Sequence, residues 1–231
     1  IDRSIELTKA IPDIKIAIEY CGLYWHSETT GKHETYHATK LRKCEQSGYK
    51  LITIFQDEWR HKSNLVKMRL LDIIQSDPLI NAENCGLSII CKHDKSKFFN
   101  RYHIKGNGPS SINVGLIYEN NIVACMGFVE LGNGYYNLNR YATEFNIDSA
   151  FDMLLIYFEN LYNPRQIISL VDRRWDIGNI HLNNGFILNK ILPPDYSYAI
   201  GDIRYNKFNF PIAKLKKIIK FDPVLTKSQN L

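Results

Sequence analysis

The sequence predicts an α/β domain followed by an α+β domain, and three observations carry that expectation. Ile14-Lys15-Ile16-Ala17-Ile18-Glu19-Tyr20 alternates with period two, as a half-buried strand does. Two stretches of helical spacing, 34–46 and 59–75, flank a second apolar strand. Further on, Ile112 to Tyr118 and Ile122 to Val129 enclose Glu119-Asn120-Asn121, the pattern of a β-hairpin.

Taken in order, Pro12-Asp13 supplies the turn before the alternating strand, and a short strand ahead of Pro12 completes the pattern. In 34–46, His37, Leu41 and Cys44 recur at helical spacing, and Gly48 suits the C-cap. Leu51 to Phe55 is a short, mostly apolar strand. Trp59 to Gln75 aligns Leu65, Met68, Leu71 and Ile74 on one helical face and stops before Asp77-Pro78. Strand, strand, helix, strand, helix is an α/β order. Residues 77–97 change character, with Pro78, Asn81, Asn84, Gly86 and the charged Lys92-His93-Asp94-Lys95 run. The boundary is therefore set there, giving a domain over 1–80, a linker over 81–97 and a second domain over 98–231. After its hairpin the second domain is read as a strand at 135–141, a helix at 149–161, a buried strand at 166–171 and a short helix at 178–184 closed by Gly185-Phe186.

Composition narrows the function classes. The 231 residues are 45% hydrophobic and 12% aromatic, enough for one large core or two small ones. No apolar run approaches the roughly 18 residues that span a bilayer. Ile1-Asp2-Arg3-Ser4-Ile5-Glu6 carries charge where a signal peptide is apolar, so a cytoplasmic protein without a membrane partner is expected. The five cysteines, Cys21, Cys44, Cys85, Cys91 and Cys125, form no CxxC pair and read as reduced thiols. Cys21, His26, His33 and His37 contain a His-x-x-x-His pair, although their spacing matches no familiar zinc finger. A net charge of +5 is compatible with nucleic acid. Arg204-Tyr205-Asn206-Lys207-Phe208 and Lys214, Lys216, Lys217 and Lys220 are interleaved with Phe210 and Phe221. They suit phosphate and base contacts, or equally the solvated face of a terminal helix.

The chemistry concentrates in Ile18-Glu19-Tyr20-Cys21-Gly22-Leu23-Tyr24-Trp25-His26. Phosphodiester hydrolysis needs a hard cation on oxygen ligands, usually Mg²⁺, and a group that moves protons near neutral pH. Glu19 and His26 supply those residue types, with Gly22 allowing a sharp turn between them.

Glu19-Tyr20-x-Gly22-Leu23-Tyr24-Trp25-His26-Ser27-Glu28, then His37-x-x-Lys40, then Gly48-Tyr49-x-Leu51-Ile52-x-Ile54-Phe55-Gln56-Asp57-Glu58-Trp59 resembles the very-short-patch-repair-like branch of the PD-(D/E)XK nucleases. It resembles the phage-borne homing endonucleases of that fold more closely, over residues 6 to 76. The resemblance implies a restriction-endonuclease-like α/β domain and a metal-dependent endonuclease acting on double-stranded DNA in a bacterial host. It implies Mg²⁺ (or Mn²⁺), with metal-ligand and acid–base roles for Glu19 and His26. One departure stands out. The family's metal-binding aspartate lies eleven residues before the position of Glu19, where this chain has Thr8 in Glu6-Leu7-Thr8. A hydroxyl does not replace a carboxylate's charge. Either Glu6 or Asp13 supplies the missing oxygen, or the site is silent in a DNA-binding module, or the chain is shortened near its start. Asp57-Glu58 match the family's acidic pair or cap the next helix. Lys40 contacts phosphate or remains solvated.

In the second domain, Asp172-Arg173-Arg174-Trp175 and Gly178-Asn179-Ile180-His181-Leu182-Asn183-Asn184-Gly185-Phe186 resemble the closing segment of GNAT-type N-acetyltransferase folds. That implies an α+β acetyltransferase-like domain. Tyr141 to Asn146 lacks the glycine-rich turn that would hold a coenzyme A pyrophosphate, which disfavours an acyltransferase. Arg140, Arg173, Arg174 and Trp175, with Lys207, become candidate DNA contacts. Their alternative is an internal network with Asp172 and Asp176.

Overall fold

The computed structural model describes residues 7–23, 35–74, 77–195, 197–211, 216–217 and 222–224. The chain is a mixed α/β fold with several sheets. It divides into two compact units, one of Ile1–Asp57 with Lys190–Leu231 and the other of Glu58–Asn189.

In the first unit, β1 (Leu7–Ile11) leads through a 3-10 turn (Pro12–Ile14) into β2 (Ile16–Cys21). α1 (Tyr36–Gln46) connects β2 to β3 (Lys50–Phe55). β2 is the middle strand, antiparallel to β1 and parallel to β3. Its period-two pattern sets Ala17, Glu19 and Cys21, all buried, on one face. α1 ends as its glycine requires: Gly48 adopts φ +76° and Tyr49 N–H donates to Cys44 O at 2.9 Å.

α2 (Gln56–Ile74) begins at the unit boundary and breaks helical geometry at Lys62. Of its expected apolar face only Leu65 is fully buried. Met68 is partly buried against the cluster that holds Ile90, Phe98, Phe99, Tyr102, Cys125 and Ala142, whereas Leu71 and Ile74 are exposed.

The stretch expected as a linker is structured. It contains β4 (Ile80–Asn81), β5 (Gly86–Ile89) and the start of α3 (Lys92–Tyr102). Its polar and glycine residues sit at strand ends and in a 3-10 turn, where they mimic the composition of a linker. β6 (Ile112–Tyr118), β7 (Asn121–Gly132) and β8 (Tyr135–Thr143) follow, then β9 (Ile147–Asp148), α4 (Ala150–Tyr162), β10 (Gln166–Ser169) and α5 (Asn179–Asn183). The five-stranded sheet runs β10-β8-β7-β6-β5, with β8 and β10 its parallel pair. Glu119 and Asn120 turn the β6–β7 hairpin with both φ positive, at 48° and 64°.

Both faces of the sheet are covered, which gives the middle of β7 its unbroken run of buried residues. On one face α4 contributes Phe151, Leu154 and Phe158, the last stacked on Phe128 with centroids 3.6 Å apart. On the other, Phe98, Phe99 and Tyr102 of α3 meet Ile90, Cys125 and Ala142. β10 corrects an expectation. It is an edge strand, not a buried one, with Ile168 and the following Leu170 exposed at 45% and 71%.

The chain then returns to the first unit with a two-stranded hairpin, β11 (Ser197–Ile200) and β12 (Ile203–Asn206), and a 3-10 turn (Lys207–Asn209). Phe210 packs edge-on against Tyr198 and Tyr205.

In the second unit, backbone approach is closest at Gly115. A Cβ there would lie 2.6 Å from Ile90 Cγ1 and 2.9 Å from Ala124 O. Gly115→Ala is expected to destabilise by about 1–3 kcal/mol through overpacking. A urea midpoint that does not move would rule this out.

Candidate metal centre

Glu19 occupies the centre of the three-stranded sheet with 0% exposure. In register it lies between Thr8 on β1 and Thr53 on β3. Thr53 Oγ1 donates to Glu19 Oε2 at 3.2 Å, and Lys40 Nζ donates to Oε1 at 2.7 Å. His37 sits three residues before Lys40, one turn along the same side of α1, and its Nδ1 stands 3.8 Å from Oε2. Cys21, two residues along β2 and so on the same face, places Sγ 4.0 Å from that nitrogen. Behind the imidazole lies Phe55, edge-on at 5.7 Å. Leu23 N–H donates to Gln56 Oε1 at 3.3 Å, tying the exit from β2 to the start of α2.

Burial alone would raise the Glu19 pKa. The His37 and Lys40 side chains outweigh it and hold the carboxyl at about 2. Glu19 is therefore an anion at every physiological pH, suited to holding a cation and poorly suited to general acid–base work near neutrality.

Glu19, Cys21 and His37 each offer a ligand atom, all within 4.8 Å of one another, and the group can hold a metal ion. Its donors are a carboxylate oxygen, a thiol sulfur and an imidazole nitrogen. Mg²⁺ demands a near-octahedral shell of oxygens. Among the described residues this group does not provide one, because one oxygen of Glu19 is taken by Lys40. Asp13, expected as a second metal carboxylate, is exposed in the 3-10 turn between β1 and β2 and is not part of the group. Glu6 and His26, expected in catalysis, lie outside the described residues.

The expected DNA contacts have mostly internal partners. Lys40, expected either at phosphate or solvated, bonds Glu19. Arg174 donates to both oxygens of Glu58 at 3.1 and 3.2 Å and to Asp172 Oδ2 at 2.9 Å. This is the internal network left open by the sequence, with Glu58 in place of Asp176. Trp175 is only 2% exposed, with the Arg69 guanidinium 5.0 Å from its ring centroid, so its face is not offered for base stacking. Arg140 is half-buried and donates through Nε to Gly106 O at 3.1 Å and through Nη1 to Asn139 O at 2.7 Å. Arg173 is half-buried in the turn after β10. Lys207 begins the 3-10 turn that follows β12.

Asp57 and Glu58 lie in the first turn of α2, where the capping reading puts them, and they have further partners. Each acid has an arginine within its own unit, Arg204 for Asp57 at 2.8 Å and Arg174 for Glu58. Sequence reasoning left Thr53 and Arg204 out of the site. The parallel register of β3 was the available signal for Thr53, and none was available for Arg204. No protein-family model and no curated protein matches the chain.

The Glu19 carboxyl sits below its ordinary value of 4.5 when folded. Its contribution to stability is therefore complete above about pH 4.5 and lost as pH falls through about 2. Lys40→Met, which strands the buried anion, is expected to cost roughly 3 kcal/mol at neutral pH. The variant should also lose stability less steeply on acidification. Urea midpoints of parent and variant over that acid range test both, and parallel curves would refute the assignment.

Proposed function

We propose that the chain is a DNA endonuclease that hydrolyses phosphodiester bonds at the Glu19 site, of the very-short-patch-repair-like, PD-(D/E)XK kind found in phage homing enzymes. One observation carries the reading. The central strand of a small mixed sheet holds a buried, ionised carboxylate with a lysine ammonium 2.7 Å away. Opposite Glu19 in register is position 8, where the resembling family carries its aspartate. The resemblance makes Mg²⁺ or Mn²⁺ the ion to supply in an assay.

For residues 58–189, the strand order β10-β8-β7-β6-β5 with one parallel edge pair and an intervening helix supports an acetyltransferase-like fold. Acyl transfer is not supported. The residues ahead of α4 pair with Ile80–Asn81 as β9, and no glycine lies between Tyr141 and Ser149.

A second reading, a DNA-binding module with a silent nuclease-like site, is favoured by the burial of Glu19 and by Thr8 opposite it. Plasmid nicking with Mg²⁺ or Mn²⁺ separates the two. The parent chain is expected to cut, and Glu19→Gln and His26→Ala to lose about 100-fold or more in rate. DNA binding by the parent without cutting selects the silent module. Failure to bind DNA at all removes both readings.

A further inference from the structure

We propose that Glu19, Cys21 and His37 form a binding site for a thiophilic divalent ion of the Zn²⁺ class. The inference shares Glu19 with the nuclease reading but rests on the donors alone.

The ligand types decide the class of ion. Thiolate and imidazole select Zn²⁺ and its transition-metal neighbours, whereas Mg²⁺ takes hard oxygens and keeps its waters. With Zn–S near 2.3 Å and Zn–N or Zn–O near 2.1 Å, tetrahedral corners lie about 3.4–3.6 Å apart. Cys21 Sγ and His37 Nδ1 are 4.0 Å apart, and His37 Nδ1 and Glu19 Oε2 are 3.8 Å apart. Closing these two gaps by about 0.4 Å, and drawing the Cys21 sulfur and the Glu19 oxygen from within 4.8 Å of each other to about 3.6 Å, would seat the ion at three corners.

The surroundings suit such a site. Lys40 holds Oε1, leaving Oε2 on the side of His37 as the ligand oxygen. Thr53 bonds that same Oε2 and fixes the carboxylate plane. Groups that hydrogen-bond a ligating carboxylate, as Thr53 and Lys40 do here, are the usual outer shell of a metal site. Glu19 and Cys21 both have 0% exposure, so their donors are already withdrawn from water. Cys21 releases its thiol proton to solvent as the ion binds, and the added anion offsets one charge of the incoming ion beside Lys40.

The test uses the full chain, treated with chelator and titrated with Co²⁺ as a coloured stand-in for Zn²⁺. A thiolate-to-cobalt charge-transfer band is expected in the near ultraviolet. Zn²⁺ should abolish it and excess Mg²⁺ should leave it intact. Cys21→Ser should lack the band, and His37→Gln should bind Co²⁺ about 10-fold or more weakly. No band in the folded parent chain overturns the proposal whatever the variants do. So does a band that survives Cys21→Ser, or one that Mg²⁺ displaces. The nicking assay is a separate readout: a band without cutting keeps this site and removes the nuclease reading, while cutting without a band does the reverse.

Discussion

An ionised carboxylate without solvent contact has to be compensated from inside the protein, and the first unit is arranged around that requirement. Withdrawing such a charge from water costs several kcal/mol unless a partner of opposite sign and further hydrogen bonds meet it. Glu19 is met by Lys40 from α1 and Thr53 from β3. None of the residues of α1 is fully buried. Its attachment to the sheet therefore depends heavily on polar and edge contacts, chiefly Lys40 on Glu19 and His37 against Phe55 and Cys21. The same contacts that position the helix also assemble the donor group, so the structure and chemistry of this face are inseparable.

The second unit follows a different principle. Its sheet is closed on both faces by aromatic and aliphatic side chains, and several charges that look exposed in the sequence turn inward. Arg174 is held between Asp172 and Glu58, and Lys95, 2% exposed, donates to Gly108 O at 2.7 Å. A cation committed to an internal carboxylate or carbonyl must give up that bond before it can serve phosphate. That exchange leaves a buried partner unsatisfied, which costs about 1–3 kcal/mol.

Much of the fold was legible because it rests on local signals. The period-two run at 14–20, the helical spacing of His37, Leu41 and Cys44, and the glycine after α1 all correspond to elements near their expected bounds. Glu19 could be singled out because it ends the alternating strand seven residues before His26, within the stretch that resembles the nuclease motif, whereas its burial was not legible there. What escaped was non-local. Whether Cys21 meets His37 depends on how α1 folds back over β2, and no spacing rule encodes that across sixteen residues. Residues 81–97 were mistaken for a linker because short strands between turns carry the same Asn, Gly and charged residues as loops. Arg174 and Trp175 stayed open between DNA contact and an internal network because sequence alone does not report that Glu58 or Arg69 stands beside them.

The C-terminal segment belongs to the chemistry of the first unit. Arg204 grips Asp57 through Nε at 2.8 and 3.0 Å and through its backbone N–H at 3.1 Å. Its guanidinium carbon lies 3.7 Å from the centroid of the Phe55 ring, close enough for a substantial cation–π contact. Phe55 in turn meets His37, whose Nδ1 faces both Glu19 and Cys21. A continuous series of contacts thus runs from β12 through the end of β3 to the candidate ligands. Arg204, 147 positions away from the acid it holds, stands one aromatic ring away from the imidazole among the candidate ligands. The basic and aromatic residues after position 190 therefore include one that braces the site, a role outside the two that their composition left open, phosphate contact and a solvated face.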